Sequence, residues 1–145
     1  MIPGRELEVT DWRPEAPPCA WLQDRVAWAL GAHFQLESYF LEIHLVDADT
    51  SARVNWERLS HEGPTDVITL DYAATPSKRS ICGELFICPE IAAEYAKDYG
   101  VTVDEETLRY AVHGVLHLLS WDDQTAAEKV AMRAQEERAL AAIAG

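Results

Sequence analysis

With 145 residues, 48% of them hydrophobic, the chain is long enough for one domain with a substantial core and too apolar to stay disordered. Its 25 acidic against 12 basic residues give a net charge of −13, which opposes non-specific binding along a phosphate backbone. No run approaches the length of a membrane span, the first residues lack an apolar signal segment, and Cys19, Cys82 and Cys88 lack zinc-type spacing. The expectation is a single cytoplasmic domain, residues 1–145, with reduced thiols and no membrane partner.

Glu6-Leu7-Glu8-Val9 alternates polar and apolar residues and predicts a short opening strand. Pro14, Pro17 and Pro18 punctuate the loop behind it. A helix is expected from about Pro18 to Leu30, with Leu22, Val26 and Ala29/Leu30 on one face and Gly31 as its stop. Tyr39 to Val46 alternates again, Leu41, Ile43 and Leu45 against Phe40, Glu42 and His44; His44 reads as a solvated or edge histidine rather than a ligand. Asp49-Thr50-Ser51 can cap a short helix reaching about Leu59, and Ser60-His61-Glu62-Gly63-Pro64 is loop chemistry.

Val67 to Tyr72 predicts a strand, and Ala73 to Ser80 is short enough to join it to Ile81–Cys88 as an antiparallel hairpin. Cys82 and Cys88 would share one face of that second strand as small buried hydrophobes. Pro89 suits the first turn of a helix that Gly100 ends. Thr102-Val103-Asp104-Glu105 and Thr125-Ala126-Ala127-Glu128 are capping boxes. The second opens an Ala-rich helix to about Ile143 with Met132, Ala139, Leu140 and Ile143 inward. No repeat or low-complexity tract interrupts the order of strand, helix, strand, helix, two strands and three helices. That order implies an α+β or mixed three-layer domain with about four strands.

The helix opened by Thr102 carries the candidate chemistry. His113 and His117 are four apart and project from one helix face beside an apolar stripe of Leu108, Val112, Val115 and Leu119. Two imidazoles so placed can grip one metal ion, as in H-E-x-x-H helices, although Gly114 stands where that motif has its general base. The plainer alternative is a pair of half-buried, hydrogen-bonded histidines. A break at Ser120-Trp121 lets Asp123, or with less reason Asp122, swing back as a third ligand, leaving a fourth position for water as in catalytic zinc sites.

Read together, His113-Gly114-Val115-Leu116-His117-Leu118-Leu119-Ser120-Trp121-Asp122-Asp123, Pro64-Thr65-Asp66-Val67-Ile68-Thr69-Leu70 and Gly83-Glu84-Leu85-Phe86-Ile87 resemble, in order and spacing, three blocks of the YbeY family. Asn55 also falls where that family has an Asn. The resemblance, spanning about Leu41 to the C-terminus, implies a zincin-like α+β domain: a mixed sheet of about four strands, about five helices, and the metal-site helix near the C-terminus. It further implies a zinc-dependent endoribonuclease for single-stranded RNA, with one Zn2+ per chain, acting in ribosomal RNA maturation (the 3′ end of the small-subunit RNA) and ribosome quality control. Two departures stand out: the family's Gly is Ser120, and its third ligand, a His, is Asp123. A family Arg falls at Leu59, with Arg58 one residue earlier and His61 two later.

On that reading His113, His117 and Asp123 hold the metal. Arg58, His61 and Asp66 are candidates for catalytic roles, Asp66 either orienting the metal site or capping a turn. Arg53, Lys78 and Arg79 are candidates for holding RNA, against a reading of Lys78-Arg79 as a solvated loop. Because net charge disfavours long phosphate tracks, the substrate would be delivered by a ribosomal particle or a ribosome-associated protein. The rival functions are a non-catalytic ribosome assembly factor with a structural or absent metal, and a small zinc peptidase, which Gly114 disfavours.

Overall fold

The computed structural model describes residues 4–14, 16 and 19–145; the expected helix start at Pro18 and two of the loop prolines, Pro17 and Pro18, lie outside them. The elements follow in the order β1 (Arg5–Asp11), α1 (Ala20–Trp28) continuing into a π-helical turn (Ala29–His33), β2 (Ser38–Leu45), α2 (Ala48–Leu59), β3 (Val67–Asp71), β4 (Ser80–Ile87), α3 (Pro89–Tyr99), α4 (Val103–Leu118) and α5 (Ala126–Ala144). This is an α+β chain with one mixed sheet in the order β1-β2-β4-β3. β1, β2 and β4 run parallel, and β3 is the antiparallel edge, paired as the expected hairpin with β4.

Register sorts the side chains. Leu7 and Val9 of β1 lie opposite Leu41 and Ile43 of β2, which lie opposite Gly83 and Leu85 of β4, so these share one face. Against it pack Leu22, Val26, Val112, Val115, Leu116 and Leu118 from the helices, in one continuous core. Glu6, Glu8, Glu42, His44, Glu84 and Phe86 occupy the other face by the same alternation. No helix among the described residues is long and apolar enough to cross a membrane, and all three cysteines are free thiols.

Two glycines set how near α4 comes to the sheet. A methyl group on Gly114 would lie 2.5 Å from Cδ2 of Leu85, and one on Gly83 would lie 2.5 Å from the Leu70 carbonyl and 2.7 Å from Leu118 Cδ2. Gly114 is therefore a packing residue: it lets the helix sit on β4, whatever chemistry its neighbours carry.

Several local expectations are corrected. Gly31 does not stop α1, since the chain continues through it in a π-helical turn to His33. The N-cap of α2 is Asp47, whose side chain accepts from Thr50 N–H at 2.8 Å, so Asp49-Thr50-Ser51 already lies inside the first turn. Cys82 is half-buried on the outer face, whereas Cys88 lies beyond the end of β4 as the fully buried N-cap of α3; the two do not share a strand face. His44 is on an inner strand with its side chain only 14% exposed, held by Trp12 and Glu84. Both capping boxes are present at Thr102 and Thr125.

Gly83→Ala should destabilise the fold by about 1–3 kcal/mol, because the clash is with backbone that cannot swing away. Gly114→Ala should cost less, since its clash is offset by about 1 kcal/mol of helix propensity. Denaturant midpoints of both variants check this order, and a Gly114→Ala variant more stable than the parent would refute the close contact.

Candidate metal centre

The site is built by the way α4 ends. Leu119 closes the helix, Ser120 N–H bonds the His117 carbonyl at 2.9 Å and Trp121 N–H reaches back to the Leu116 carbonyl at 3.0 Å. That pair of bonds is a Schellman turn, whose pivot must take a left-handed backbone. Ser120 has φ +75°, a position that favours glycine. The reversal carries Asp123 back over the helix, so that its Oδ2 lies 3.3 Å from His113 Nε2 and 3.5 Å from His117 Nε2. Asp122 does not join them; its Oδ1 accepts the Asp123 N–H at 2.8 Å.

The far nitrogen of each ring is anchored. His113 Nδ1 lies 2.7 Å from Glu136 Oε2, and His117 Nδ1 lies 3.1 Å from the Trp121 carbonyl. A carboxylate and a carbonyl only accept, so both Nδ1 atoms carry a proton, and in the neutral rings both Nε2 lone pairs are bare. Those lone pairs face each other at 3.0 Å, with the Asp123 oxygen as a third electron-rich neighbour. Three acceptors crowded this way call for a cation among them. Nitrogen and oxygen donors about 2.0–2.1 Å from one tetrahedral zinc lie about 3.3–3.4 Å apart, which matches the observed triangle. These three residues form a group able to hold a metal ion.

Charge behind the site is concentrated. Glu136, buried in α5, also accepts from Arg109 at 3.1 Å, and Arg109 further pairs with Glu106 at 3.4 Å and Glu137 at 2.8 Å. Burial would lower the His113 pKa, but the Glu136 hydrogen bond and charge, joined by Asp123 and Asp66, outweigh it and hold the pKa above its ordinary value. For Glu136 burial acts upward, and the bonds to His113 and Arg109 win in the opposite sense. Burial also pushes Glu106 upward, against the pull of Arg109. No motif points to Glu136, which sits twenty-three residues beyond His113 on another helix.

The other sequence candidates are dispersed. Asp66 caps its own turn, its Oδ1 accepting from Thr65 Oγ1 and Val67 N–H, and it also lines a cavity of about 230 Å3 with His113, Tyr110 and Glu136. Arg58 donates to the Tyr72 hydroxyl at 3.0 Å, which bonds Glu84 on the sheet face opposite α4, so Arg58 is not brought to the histidine pair. His61 is exposed in the loop after α2, its N–H on the Asn55 carbonyl, and Arg53 is exposed on α2 itself. Lys78 and Arg79 part company: Arg79 pairs with Glu37 at 2.8 Å, while Lys78 lines a second cavity beside Ser120 and Trp121. Asn55, buried, ties the loop before β3 through Gly63.

A second donor group, Glu42, His44 and Glu84, lies on the outer sheet face. Trp12 Nε1 donates to His44 Nδ1 at 3.0 Å, which leaves the His44 proton on Nε2, the atom facing both carboxylates. That nitrogen donates to Glu84 at 2.7 Å and has no lone pair for a metal.

A mixed sheet backed by a helix whose two histidines converge with a carboxylate from the following turn defines an α+β protein with a candidate mononuclear metal centre. The chain belongs to the YbeY family: the family model, described as endoribonuclease YbeY, matches residues 19–144. Proteins named endoribonuclease YbeY from Chlamydia caviae and Alkalilimnicola ehrlichii are similar to it. The first is 37% identical over 113 residues, 74% of this chain and 72% of its own; the second is 31% identical over 147 residues, 97% and 89%. The solution structure of TM1509 from Thermotoga maritima shares the fold, with a TM-score of 0.65 at 19% identity over 95% of this chain and 89% of that one.

Two outcomes follow for the anchors. Glu136→Gln should weaken divalent-metal affinity by about 10–100-fold, as loss of a ligand-orienting partner does, measurable by competition with a chromogenic chelator. In the metal-free chain the His113–Glu136 pair stabilises the fold most between the two groups' unfolded values, 4.5 and 6.5. Its contribution is lost as pH falls below 4.5 through the depressed Glu136 value, and again as pH rises above 6.5 through the raised His113 value. Thermal melts of the metal-free chain should show that window, and Glu136→Gln should flatten it.

Proposed function

We propose that this chain is a metal-dependent endoribonuclease that cuts single-stranded RNA with one divalent ion, most suitably zinc, held by His113, His117 and Asp123. The observation that carries the reading is the convergence of two bare Nε2 atoms and one carboxylate oxygen within 3.5 Å of one another. A divalent ion there would supply Lewis acidity toward a phosphodiester oxygen and toward water. The chain's own part is orientation. Glu136 and the Trp121 carbonyl fix both imidazoles in the tautomer that presents Nε2. Asp123 adds a negative charge that a histidine there would not, which lowers the acidity conferred on bound water. Asp66, which lines the cavity on the Glu136 side of His113, is the candidate for orienting the metal site through that ring.

Kinship with proteins named endoribonuclease supports an RNA substrate. The net charge of −13 argues against grip on long RNA. Repulsion between exposed charges is screened beyond about 10 Å at 0.1 M salt, so a few nucleotides beside the centre are still tolerated. Weak intrinsic RNA affinity, with targeting by ribosomal particles or a ribosome-associated protein in the cytoplasm, is the consistent picture. The cellular role is then maturation of ribosomal RNA, including the 3′ end of the small-subunit species, and ribosome quality control. The separation of Arg58 from the histidines favours a second reading, a non-catalytic assembly factor.

Elemental analysis combined with cleavage of an unstructured RNA decides between them. One equivalent of metal is expected in the parent and none in His117→Ala, with Asp123→Ala losing far more affinity than Asp122→Ala. Chelation should stop cleavage. Asp123→His should keep the metal and move the pH–rate profile to lower pH. A metal-loaded chain that cuts no RNA even with ribosomal particles present would leave the assembly-factor reading in its place.

A further inference from the structure

Beside the turn that carries Asp123 lies the second cavity, about 600 Å3, lined by Phe34, Lys78, Leu116, Trp121, Asp122 and Gln135 among others. Its position relative to the metal ligands is set by the turn that ends α4. Leu116 and Leu119, from the last turn of α4 and its cap, line it together with Ser120, Trp121 and Asp122 of the turn that follows. Asp123, which meets His113 and His117, is the next residue after that lining turn. The walls combine different chemistries. The Trp121 ring is 38% exposed, Lys78 is exposed and takes part in none of the ion pairs among the described residues, and Gln135 offers an amide donor and acceptor. Asp122 and Glu128 supply carboxylates that only accept, one oxygen of each already taking a backbone N–H, from Asp123 and Thr125.

The cavity lined with His113 on the other side is different. There Arg109 is occupied by three glutamates and Glu136 by His113, so its charges answer one another. In the larger cavity the ammonium of Lys78 and the Trp121 face are left for something else. A flat π-system with polar edges and an attached anion fits those groups, and a nucleotide is that combination.

We propose that this cavity is a nucleobase subsite: a base beside the cleaved phosphodiester stacks on the Trp121 indole, and its phosphate pairs with Lys78. The assignment rests on the ribonuclease reading and adds a preference to it. The Asp122 and Glu128 carboxylates accept hydrogen bonds from an exocyclic amino group, which adenine has and uracil lacks, and they repel the uracil carbonyls.

Nucleotide binding by the metal-free full chain tests the subsite apart from catalysis. Adenosine 5′-monophosphate should quench part of the tryptophan fluorescence, and uridine 5′-monophosphate should bind several-fold more weakly. Trp121→Leu should weaken adenosine monophosphate binding by about tenfold, as loss of one stacking ring does, and remove the quench. Trp121→Phe, which keeps a ring and guards against misfolding, should retain most of the affinity. Lys78→Glu should weaken the nucleotide but not adenosine. Absence of binding by the parent, equal binding of both nucleotides, or affinity that survives Trp121→Leu or is lost equally in Trp121→Phe overturns the subsite. If the nucleotide binds as described but the zinc-loaded chain cuts no oligoribonucleotide, only the ribonuclease reading falls.

Discussion

The close seating of α4 on β4 is the constraint on which the site depends. Gly114 admits Leu85 and Gly83 admits Leu118, so the last turns of the helix are pressed to the sheet. Interiors packed at this density do not deform smoothly, and a helix held so tightly presents its outer face at a fixed angle. His113 and His117 lie on that outer face, flanking the glycine that faces inward. The same residue that removes a protease-like base from the motif is thus the one that holds the histidines still.

Around that rigid core the polar groups form a nested arrangement. Arg109 gathers Glu106, Glu136 and Glu137, Glu136 holds His113, and His113 meets Asp123. Each member is satisfied by the next, and none of the described buried side-chain polar atoms lacks a partner. Removing one would expose its neighbours to the full cost of unpaired charge in a partly dry setting. The pKa directions of His113 and Glu136, raised and lowered against the pull of burial, express that mutual support.

Much of the fold was legible because it rests on local rules. Alternation marked the strands, and Thr102 and Thr125 marked two helix starts through their capping boxes. Pro89 and Gly100 bounded α3. The misreadings came where one local signal competed with another. Gly31 was a plausible stop, but hydrogen bonds of wider spacing carry the helix past it to His33. Asp47 capped α2 because it precedes the first turn, whereas Asp49 is inside it. For the site, the pair of histidines and the returning aspartate follow from spacing and a turn. Glu136 could not be found this way, since its role depends on where α5 lands against α4. Arg58 failed for the complementary reason: proximity in sequence to a block says nothing of which sheet face its side chain reaches.

The three donors and both anchors sit on one contiguous stretch, from α4 through the turn into α5. Bringing them together closes only short loops, whereas β2 must wait for α2 and β3 to be threaded before it can pair with β4. During refolding, then, the helical hairpin is the part that can assemble soonest, and the parallel sheet is the slow, entropy-limited part. An ion captured early by the hairpin would act on the folding path as well as on the finished site, biasing the chain toward the arrangement that the sheet later locks.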